Sequence, residues 1–289
     1  MQFPETELII TDKKTVYHLD INEDFVADDV IVVGDQNRVA EISTRFSKID
    51  CKAEHREFVT HTGWFNGKRI TVISTGIGTD NIDIVLNELD AAVNIDLNTR
   101  TEKANKRSLN IIRLGTSGAL QADIPVNGLV VSEYGLGLDG LLNYYADWKK
   151  INEDALSEGF MQHTGWTPNL PYPYCVKADE TLFNKFASGN HAGITATAPG
   201  FYGPQGRQLR LKAAKPDLNE LLTSFSQSGK RISNFEMETS ALYGLGKLLG
   251  HKCLTVCVII ANRVTRQFTP DYKKSVELLI EQSLQRLTQ

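Results

Sequence analysis

Short apolar segments rich in β-branched residues alternate along the chain with segments whose apolar residues recur every three or four positions. The first kind predicts strands that are covered on both faces, at residues 30–33, 70–74, 109–114, 129–133, 192–198 and 253–261. The second kind predicts amphipathic helices, at residues 82–93, 239–249 and 272–287. The alternation of strands and helices predicts an α/β fold in which helices cover a sheet.

The length and composition predict one globular domain over residues 1–289. Apolar residues make up 41% of the chain and charged residues 23%, which is ordinary for a globular protein. We find no internal repeat and no low-complexity linker. The polar stretch 96–108 is predicted to be a surface insertion, and residues 168–174, with three prolines, an extended loop.

Charge and cysteine content exclude several classes of protein. A formal charge of -4 argues against a groove that binds nucleic acid, because such grooves carry a basic excess. No apolar run reaches the length of a membrane span, and residues 1–14 show no secretory signal. Four cysteines fit neither a disulfide framework nor a zinc pattern, so we predict a cytoplasmic protein with reduced thiols, Cys253 and Cys257 being core residues.

Two arginines that follow predicted strands are candidates for binding an anion. The strand at 30–33 ends in Gly34, and Arg38 follows about one helical turn later. Arg113 lies near the end of another strand, just before the sequence G-T-S-G at 115–118. Glycines allow close backbone approach, the Thr116 hydroxyl can donate a hydrogen bond, and a guanidinium binds phosphate through two parallel bonds. We predict glycine turns here that bind phosphate.

Residues 135–140 form a G-x-G-x-x-G pattern after the predicted strand 129–133. This pattern is typical of dinucleotide binding when it opens a helix and an acidic residue follows a second strand. Neither condition is met here, so we do not assign dinucleotide binding.

Two carboxylates, Glu236 and Glu238, flank Met237 where a strand-like run meets the predicted helix 239–249. Acidic residues at the start of a helix are favourable for their charge alone. A carboxylate in this place can also accept hydrogen bonds from the vicinal hydroxyls of a sugar, with Met237 packed against the sugar ring. Both interpretations remain open.

The loop at 201–207 has the composition of a site for a flat polar ring. Phe201 can stack on such a ring, Gln205 offers a donor and an acceptor, and Arg207 offers donors. A uracil edge presents acceptor, donor and acceptor in turn, which matches this pair. Arg263 follows the strand 253–261, where it supports this loop or pairs with a buried acid. His18 could contact a ligand hydroxyl, although most histidines of this kind are surface or core residues.

Seven short motifs in order resemble the nucleoside phosphorylase family, in its pyrimidine-specific uridine phosphorylase branch. They are G-D-x-x-R-V, H-R-E-F, S-T-G-I-G, R-x-G-T-S-G, Q-x-R, N-F-E-M-E and A-N-R. The resemblance implies a single-domain, three-layer α/β fold with a central mixed sheet flanked by helices. It also implies phosphorolysis of uridine to uracil and ribose 1-phosphate in pyrimidine salvage, with inorganic phosphate as co-substrate and no organic cofactor.

The resemblance also implies a role for individual residues. The implied phosphate site is Gly34, Arg38, Arg113 and Thr116, with Arg56 from a neighbouring subunit. The implied ribose site is Met237 and Glu238, with Glu236 beside them and His18 from the neighbour. The implied base site is Ser117, Gly118, Phe201, Gln205 and Arg207, supported by Arg263. Of these, Arg113, Glu238, Gln205 and Arg207 are the implied catalytic residues.

A site shared between subunits implies a homo-oligomer with a dimer as its active unit, assembled as a hexamer in most bacterial relatives. The resemblance also implies a monovalent-cation site at Glu57, Ile77 and Asn81. Here the chain departs from the family, because Thr79-Asp80-Asn81 replaces the usual proline and serine. Asn81 still offers a side-chain oxygen, through which the site would take a potassium ion at the subunit interface.

Three other functions remain as alternatives. A purine nucleoside phosphorylase of the same fold is disfavoured by Gln205 and Arg207, and by Asn262 where such enzymes usually carry an aspartate. A nucleosidase uses water and would not need Arg38. A non-catalytic nucleoside-binding protein would be expected to lack phosphate or ribose groups such as Arg113 and Glu238.

Overall fold

The computed structural model describes residues 2–289. Its strands are β1 (Asp29–Val33), β2 (Lys48–His55), β3 (Phe58–Phe65), β4 (Lys68–Ser74), β5 (Ile95–Asp96), β6 (Thr101–Glu102), β7 (Asn110–Ala119), β8 (Leu129–Gly137), β9 (Tyr174–Lys177), β10 (His191–Thr197), β11 (Ser226–Gln227), β12 (Lys230–Glu236), β13 (Lys252–Asn262) and β14 (Gln267–Phe268). Its α-helices are α1 (Gln36–Ser43), α2 (Thr79–Asn94), α3 (Asp154–Thr164), α4 (Glu180–Ala187), α5 (Leu218–Ser224), α6 (Thr239–Leu248) and α7 (Lys273–Thr288).

The main sheet is mixed and runs β11-β12-β10-β8-β13-β7-β1-β4-β3-β2. The predicted α/β class is thus confirmed. In addition, β12 pairs with β7 through Asn234–Ala119 and Phe235–Gly118, so β12, β10, β8, β13 and β7 form a closed ring. This closure, which the sequence did not predict, places the end of β7 beside the carboxyl end of β12.

The predicted helices are present and bury the faces that their periodicity indicates. Ile82, Leu86 and Leu89 of α2 are buried, and α2 packs against α6. Every residue of α6 from Thr239 to Gly246 is buried, because β8, β10 and β13 also contact it. Helix α6 is thereby fixed in place at the end where Glu236 and Glu238 precede it.

The G-T-S-G sequence at 115–118 is not a turn, which corrects the prediction from the sequence. The strand predicted at 109–114 continues as β7 to Ala119. A Cβ atom at Gly115 would lie 2.1 Å from Nη1 of Arg113, and one at Gly118 would lie 3.0 Å from the Phe235 ring. These glycines therefore allow close side-chain approach within an extended strand.

The glycines at 135–140 also have a packing role. Strand β8 continues through Gly137, where a Cβ atom would lie 2.3 Å from Cζ of Tyr174. A Cβ atom at Gly135 would lie 3.0 Å from Cα of Ser240, at the start of α6. The motif lets β8 approach α6 and the buried Tyr174 ring, which explains it without a dinucleotide.

Several polar elements were not predicted. The β2–β3 hairpin forms one edge of the sheet, and β2 is largely exposed, so it lacks an apolar pattern. The insertion at 96–108 contains part of the β5–β6 hairpin and buries Leu97. The proline-rich loop ends one residue earlier than predicted, because Tyr174 begins β9 and is buried.

The four cysteines are unpaired, and Cys253 and Cys257 are buried core residues as predicted. Within residues 2–289, no helix combines the length and the apolar character needed to cross a membrane.

We predict that Gly137→Ala lowers the free energy of unfolding by about 1–3 kcal/mol, the usual cost of overpacking a core. The added methyl group would overlap the buried Tyr174 ring. Chemical denaturation measures the change. Gly203→Ala is the matched control, because a Cβ atom there meets nothing within 4 Å. Equal stability of the two variants would contradict this account of the glycine motif.

Candidate active site

A cavity of about 1090 Å³ opens where β1, β7, β12 and β13 meet the loop at 201–207. The predicted residues that line it are Gly34, Arg38, Arg113, Thr116, Ser117, Gly118, Phe201, Gln205, Arg207, Glu236, Met237, Glu238 and Arg263. Lining residues that were not predicted include Asp35, Gln36, Phe235, Ile260 and Phe268. The structure thus brings most of the separate motifs to one place.

Arg113 is a buried cation in the wall of this cavity. Its Nη1 lies 3.1 Å from Oε2 of Glu236, and its Nη2 donates to Oε2 of Glu238. Nη1 also contacts Sγ of Cys257 at 3.4 Å. Burial disfavours the charged guanidinium, but the two carboxylates outweigh it and raise the pKa of Arg113 above its usual range. Its Nε is buried and has no hydrogen-bond partner among the described residues.

The oxygens of Glu236 are fully engaged by the protein. Oε1 accepts from Oγ1 of Thr197 at 2.8 Å and from the backbone N–H of Thr239 at 3.1 Å. Oε2 accepts from the backbone N–H groups of Glu238 and Thr239 at 2.9 and 3.0 Å, and also faces Arg113. Glu236 therefore satisfies N–H groups at the start of α6 that would otherwise be unpaired. Its predicted part in ribose binding stays a prediction, and these contacts argue against it.

Glu238 has fewer partners and keeps acceptor capacity. Oε1 accepts from the backbone N–H of Gly78 at 2.8 Å, and Oε2 accepts from Arg113. A carboxylate offers about four lone-pair positions, so two remain for donors in the cavity. Burial raises the pKa of Glu238 to about 7, opposed by Arg113 and reinforced by Glu236. One guanidinium is shared by two buried carboxylates, so it compensates only part of the charge of Glu238.

Arg38 forms a second cationic group at the same end. It lies on α1. Asp35 caps the start of this helix, because its side chain accepts a hydrogen bond from the backbone N–H of Asn37 at 2.9 Å. Its Nη1 donates to the carbonyl of Leu114 at 3.3 Å. Burial lowers the pKa of Arg38, Asp35 opposes this, and the positive charge of Arg113 lowers it further. An anion bound between the two arginines would relieve this repulsion.

Another part of the cavity wall combines an amide, a guanidinium and aromatic rings. Oε1 of the buried Gln205 accepts from Nη1 of Arg207 at 2.5 Å, which leaves the Gln205 amide hydrogens for a ligand. The Arg207 guanidinium lies 3.7 Å from the centre of the Phe201 ring, and burial lowers the pKa of Arg207 to about 10. A ligand that stacks on Phe201 must use its other face or displace Arg207.

One of the two roles predicted for Arg263 is wrong. No carboxylate among the described residues lies within 4 Å of it, so it does not pair with a buried acid. Its guanidinium lies 5.7 Å from the Phe235 ring, close to where Arg207 approaches the same ring at 5.8 Å. Arg263 is only partly buried, and water can therefore replace the missing partner.

Ser117 is held by a residue that the sequence did not single out for a role. Nδ2 of the buried Asn234 lies 2.9 Å from Oγ of Ser117, and Oδ1 of Asn234 accepts from Thr195 and Ser233, each at 2.8 Å. This network fixes the Ser117 hydroxyl at the cavity wall. Asn234 is the first residue of the N-F-E-M-E motif, and this motif is the sequence signal that could have identified it.

His18 and Arg56 do not line the cavity of this single chain. Nδ1 of His18 bonds to Glu88 at 2.6 Å, and Nη2 of Arg56 is 3.5 Å from the Tyr17 hydroxyl. Both residues lie at the surface or partly buried. Their implied contribution to a neighbouring subunit stays a prediction.

The residues implied for a monovalent cation, Glu57, Ile77 and Asn81, line one wall of the cavity together. Nδ2 of Asn81 donates to the carbonyl of Ile77 at 3.2 Å, so that carbonyl already has a partner. Within residues 2–289, no group of three or more His, Cys, Asp and Glu side chains is arranged to hold a metal ion. Potassium binding stays a prediction.

Comparisons with known proteins agree with this geometry. Residues 28–288 match the family model described as Phosphorylase superfamily. A uridine phosphorylase from Thermococcus kodakarensis is 30% identical over 100% of this chain and 92% of its own. The Trypanosoma brucei nucleoside phosphorylase structure, described as showing uridine phosphorylase activity, has a TM-score of 0.87 at 30% identity, over 96% of this chain and 98% of that one. A DeoD-type purine nucleoside phosphorylase from Clostridium perfringens is 26% identical over 87% of this chain and 89% of its own.

We predict that the stability of the protein depends on pH through Glu238. The pKa of this carboxyl is raised from 4.5 to about 7 in the folded state, so the folded protein holds an extra proton between these values. The stability that this extra proton contributes is therefore lost as pH rises through this window, by on the order of 3 kcal/mol. Unfolding of wild type and Glu238→Gln, measured from about pH 4 to about pH 8, should show a smaller loss in the variant.

Glu281→Gln is the control for this comparison, because Glu281 is exposed on α7. It should follow the wild-type pH dependence. The same pH dependence in Glu238→Gln and wild type would show that Glu238 does not carry the extra proton.

Proposed function

The chain belongs to the phosphorylase superfamily, and from this premise we propose that it catalyses the phosphorolysis of uridine to uracil and ribose 1-phosphate. The observation that carries the proposal is one cavity lined by two arginines, Arg38 and Arg113, and by the Gln205–Arg207 pair. Glu238 lines the same cavity, bonds to Arg113 and retains acceptor capacity. The similarity to proteins named uridine phosphorylase supports this assignment.

Phosphate is the nucleophile in the proposed reaction. Arg38 and Arg113 position it through their guanidinium groups, with Gly34 and Thr116 beside them in the cavity wall. Phosphate is already an anion, so the reaction needs no base to activate it.

Glu238 is the proposed ribose-binding carboxylate. Its two oxygens can accept hydrogen bonds from the vicinal hydroxyls, because each oxygen uses one acceptor position on the protein. Met237 lines the cavity beside it and packs against the sugar. We assign Glu236 to holding Arg113 and the start of α6.

The bond from C1′ to N1 of uracil breaks as the sugar gains oxocarbenium character, and a phosphate oxygen bonds to C1′ from the opposite face. The bonding electrons leave with uracil, so negative charge grows on the base. The amide hydrogens of Gln205 and the guanidinium of Arg207 stabilise that charge. Loss of one such preorganised donor typically costs about 3 kcal/mol in the barrier.

Overall identity does not decide the base, because a purine-type relative matches almost as well as the pyrimidine-type relatives. The base end of the cavity favours uracil. Asn262, where purine enzymes usually carry an aspartate, donates to the carbonyls of Gln121 and Ile124, both at 2.8 Å. Its oxygen accepts from two backbone N–H groups at 2.9 Å. Asn262 therefore has nothing left to offer a purine.

We further propose that the active unit is a dimer in a homo-oligomer, in which Arg56 and His18 reach the neighbouring cavity. The support is that neither residue lines the cavity of its own chain. Four unpaired thiols are compatible with the reducing cytoplasm as the location.

The proposed reaction predicts release of uracil from uridine only when phosphate is present. Purified protein is incubated with uridine or with inosine, each with and without phosphate, and free base is measured. Base released without phosphate would identify a nucleosidase. Hypoxanthine in place of uracil would overturn the roles of Gln205 and Arg207, and no release would favour a nucleoside-binding protein.

The proposed sharing of the site predicts complementation between Arg38→Ala and Arg56→Ala. Each variant alone is expected to be nearly inactive. In a mixed dimer, one of the two sites has its own Arg38 and the partner subunit's Arg56 intact, so random mixing should restore about a quarter of wild-type activity. No recovery, despite mixed oligomers shown with differently tagged chains, would count against a shared site.

A further inference from the structure

We propose that Thr197 and Glu236 are positioning residues that hold Arg113 in its reactive orientation, and that Glu236 does not bind the sugar. This inference rests on the proposed function, since Arg113 is assigned there to phosphate. Nothing in the sequence motifs pointed to Thr197, which lies at the end of β10.

The Thr197 hydroxyl can donate its hydrogen bond to only one of its two partners. Its Oγ1 accepts a hydrogen bond from the backbone N–H of Ser240 at 2.9 Å, and that N–H can only donate. The same Oγ1 lies 2.8 Å from Oε1 of Glu236, and the carboxylate can only accept. Thr197 must therefore donate its single proton to Glu236. Both residues are buried, so water does not replace this bond.

The sheet places the two residues in register. Thr197 of β10 pairs with Glu236 of the parallel strand β12, and the backbone N–H of Ala198 donates to the carbonyl of Glu236 at 2.9 Å. The Thr197 hydroxyl then orients the Glu236 carboxylate, whose Oε2 lies 3.1 Å from Nη1 of Arg113. The pairing of β10 with β12 in this way determines the position of side chains that line the cavity.

The orientation of Arg113 matters because its three nitrogens have different environments. Nη1 faces Glu236, Nη2 donates to Glu238, and Nε has no partner among the described residues. If Glu236 turned away, Nη1 would lose its carboxylate partner and the guanidinium could rotate about its side chain. The nitrogens that Arg113 presents to phosphate would then change position, while Glu238 would keep its bond from the backbone N–H of Gly78.

The first test compares two threonine-to-valine substitutions that each remove an acceptor for a buried backbone N–H. Thr197→Val removes the partner of Ser240 and of Glu236. Thr71→Val is the matched control, because Oγ1 of Thr71 accepts from the backbone N–H of Ala27 at 2.8 Å and does not line the cavity. Both variants should lower Tm.

At a temperature well below either Tm, Thr197→Val should lower kcat/KM for uridine about tenfold or more, the range for losing a hydrogen bond to a charged group. Thr71→Val should stay within about twofold of wild type. Thr197→Ser keeps the hydroxyl and should restore most of the activity. Equal kcat/KM values for Thr197→Val and Thr71→Val would overturn the positioning role.

The second test asks whether Glu236 contacts a ribose hydroxyl, and it uses Glu236→Gln with uridine and 2′-deoxyuridine. A positioning residue acts on the reaction of both substrates, so both kcat/KM values should change by the same factor, within about twofold. The same comparison with 3′-deoxyuridine covers the other hydroxyl. A selective change for either deoxy substrate would show that Glu236 binds the sugar and would overturn the proposal.

A binding measurement separates failure of this inference from failure of the proposed function. The rise in Tm caused by saturating phosphate is measured for wild type, Thr197→Val and Thr71→Val without any nucleoside. The proposal predicts a smaller rise for Thr197→Val than for the other two. If wild type releases no uracil, the proposed reaction fails, while equal phosphate-induced rises in all three proteins would overturn the positioning role by itself.

Discussion

A single buried guanidinium, that of Arg113, is shared by the carboxylates of Glu236 and Glu238. A buried charge is tolerated only when it is paired and hydrogen-bonded, and here one cation serves two anions. The three groups therefore carry a net negative charge when all are ionised. Burial, together with this excess of negative charge, raises the pKa of Glu238. The contact with Arg113 also ties the sugar recognition that we propose for Glu238 to the position of the arginine that we propose binds phosphate. The same cluster that builds the cavity thereby opposes its own stability at higher pH.

The arrangement depends on the closed ring of strands. Arg113 belongs to β7 and Glu236 to β12, and these two strands pair directly through Asn234 and Phe235. Glycines at 115 and 118 remove the side chains that would obstruct the Arg113 guanidinium and the Phe235 ring. Helix α6 then starts immediately after the carboxylates and is packed on several sides. The acids are fixed by the sheet at one end and by the helix at the other.

Much of this could be predicted from sequence where the signal was local. The buried strands and amphipathic helices follow from apolar periodicity. The sequence motifs also contain most of the residues that line the cavity. Strand β2 was missed because its exposed edge position leaves no apolar pattern. The glycines of β7 were predicted to form a turn, because glycine is favoured both in turns and where other side chains approach the backbone closely. Thr197 could not be found, since its role comes from strand register with Glu236, and the engagement of Glu236 required the contacts of α6. His18 and Arg56, which the resemblance assigned to a neighbouring site, lie outside the cavity of their own chain.

The central claim is that Glu236 and Glu238 hold the Arg113 guanidinium in the orientation in which it binds phosphate. The most direct measurement is a phosphate titration followed on the side-chain Nε–H resonance of Arg113 by heteronuclear NMR. The resonance is assigned by its absence in Arg113→Lys. The account predicts a saturable shift of this resonance over the phosphate concentrations that support uracil release. A resonance that does not move while phosphate saturates the reaction would contradict it.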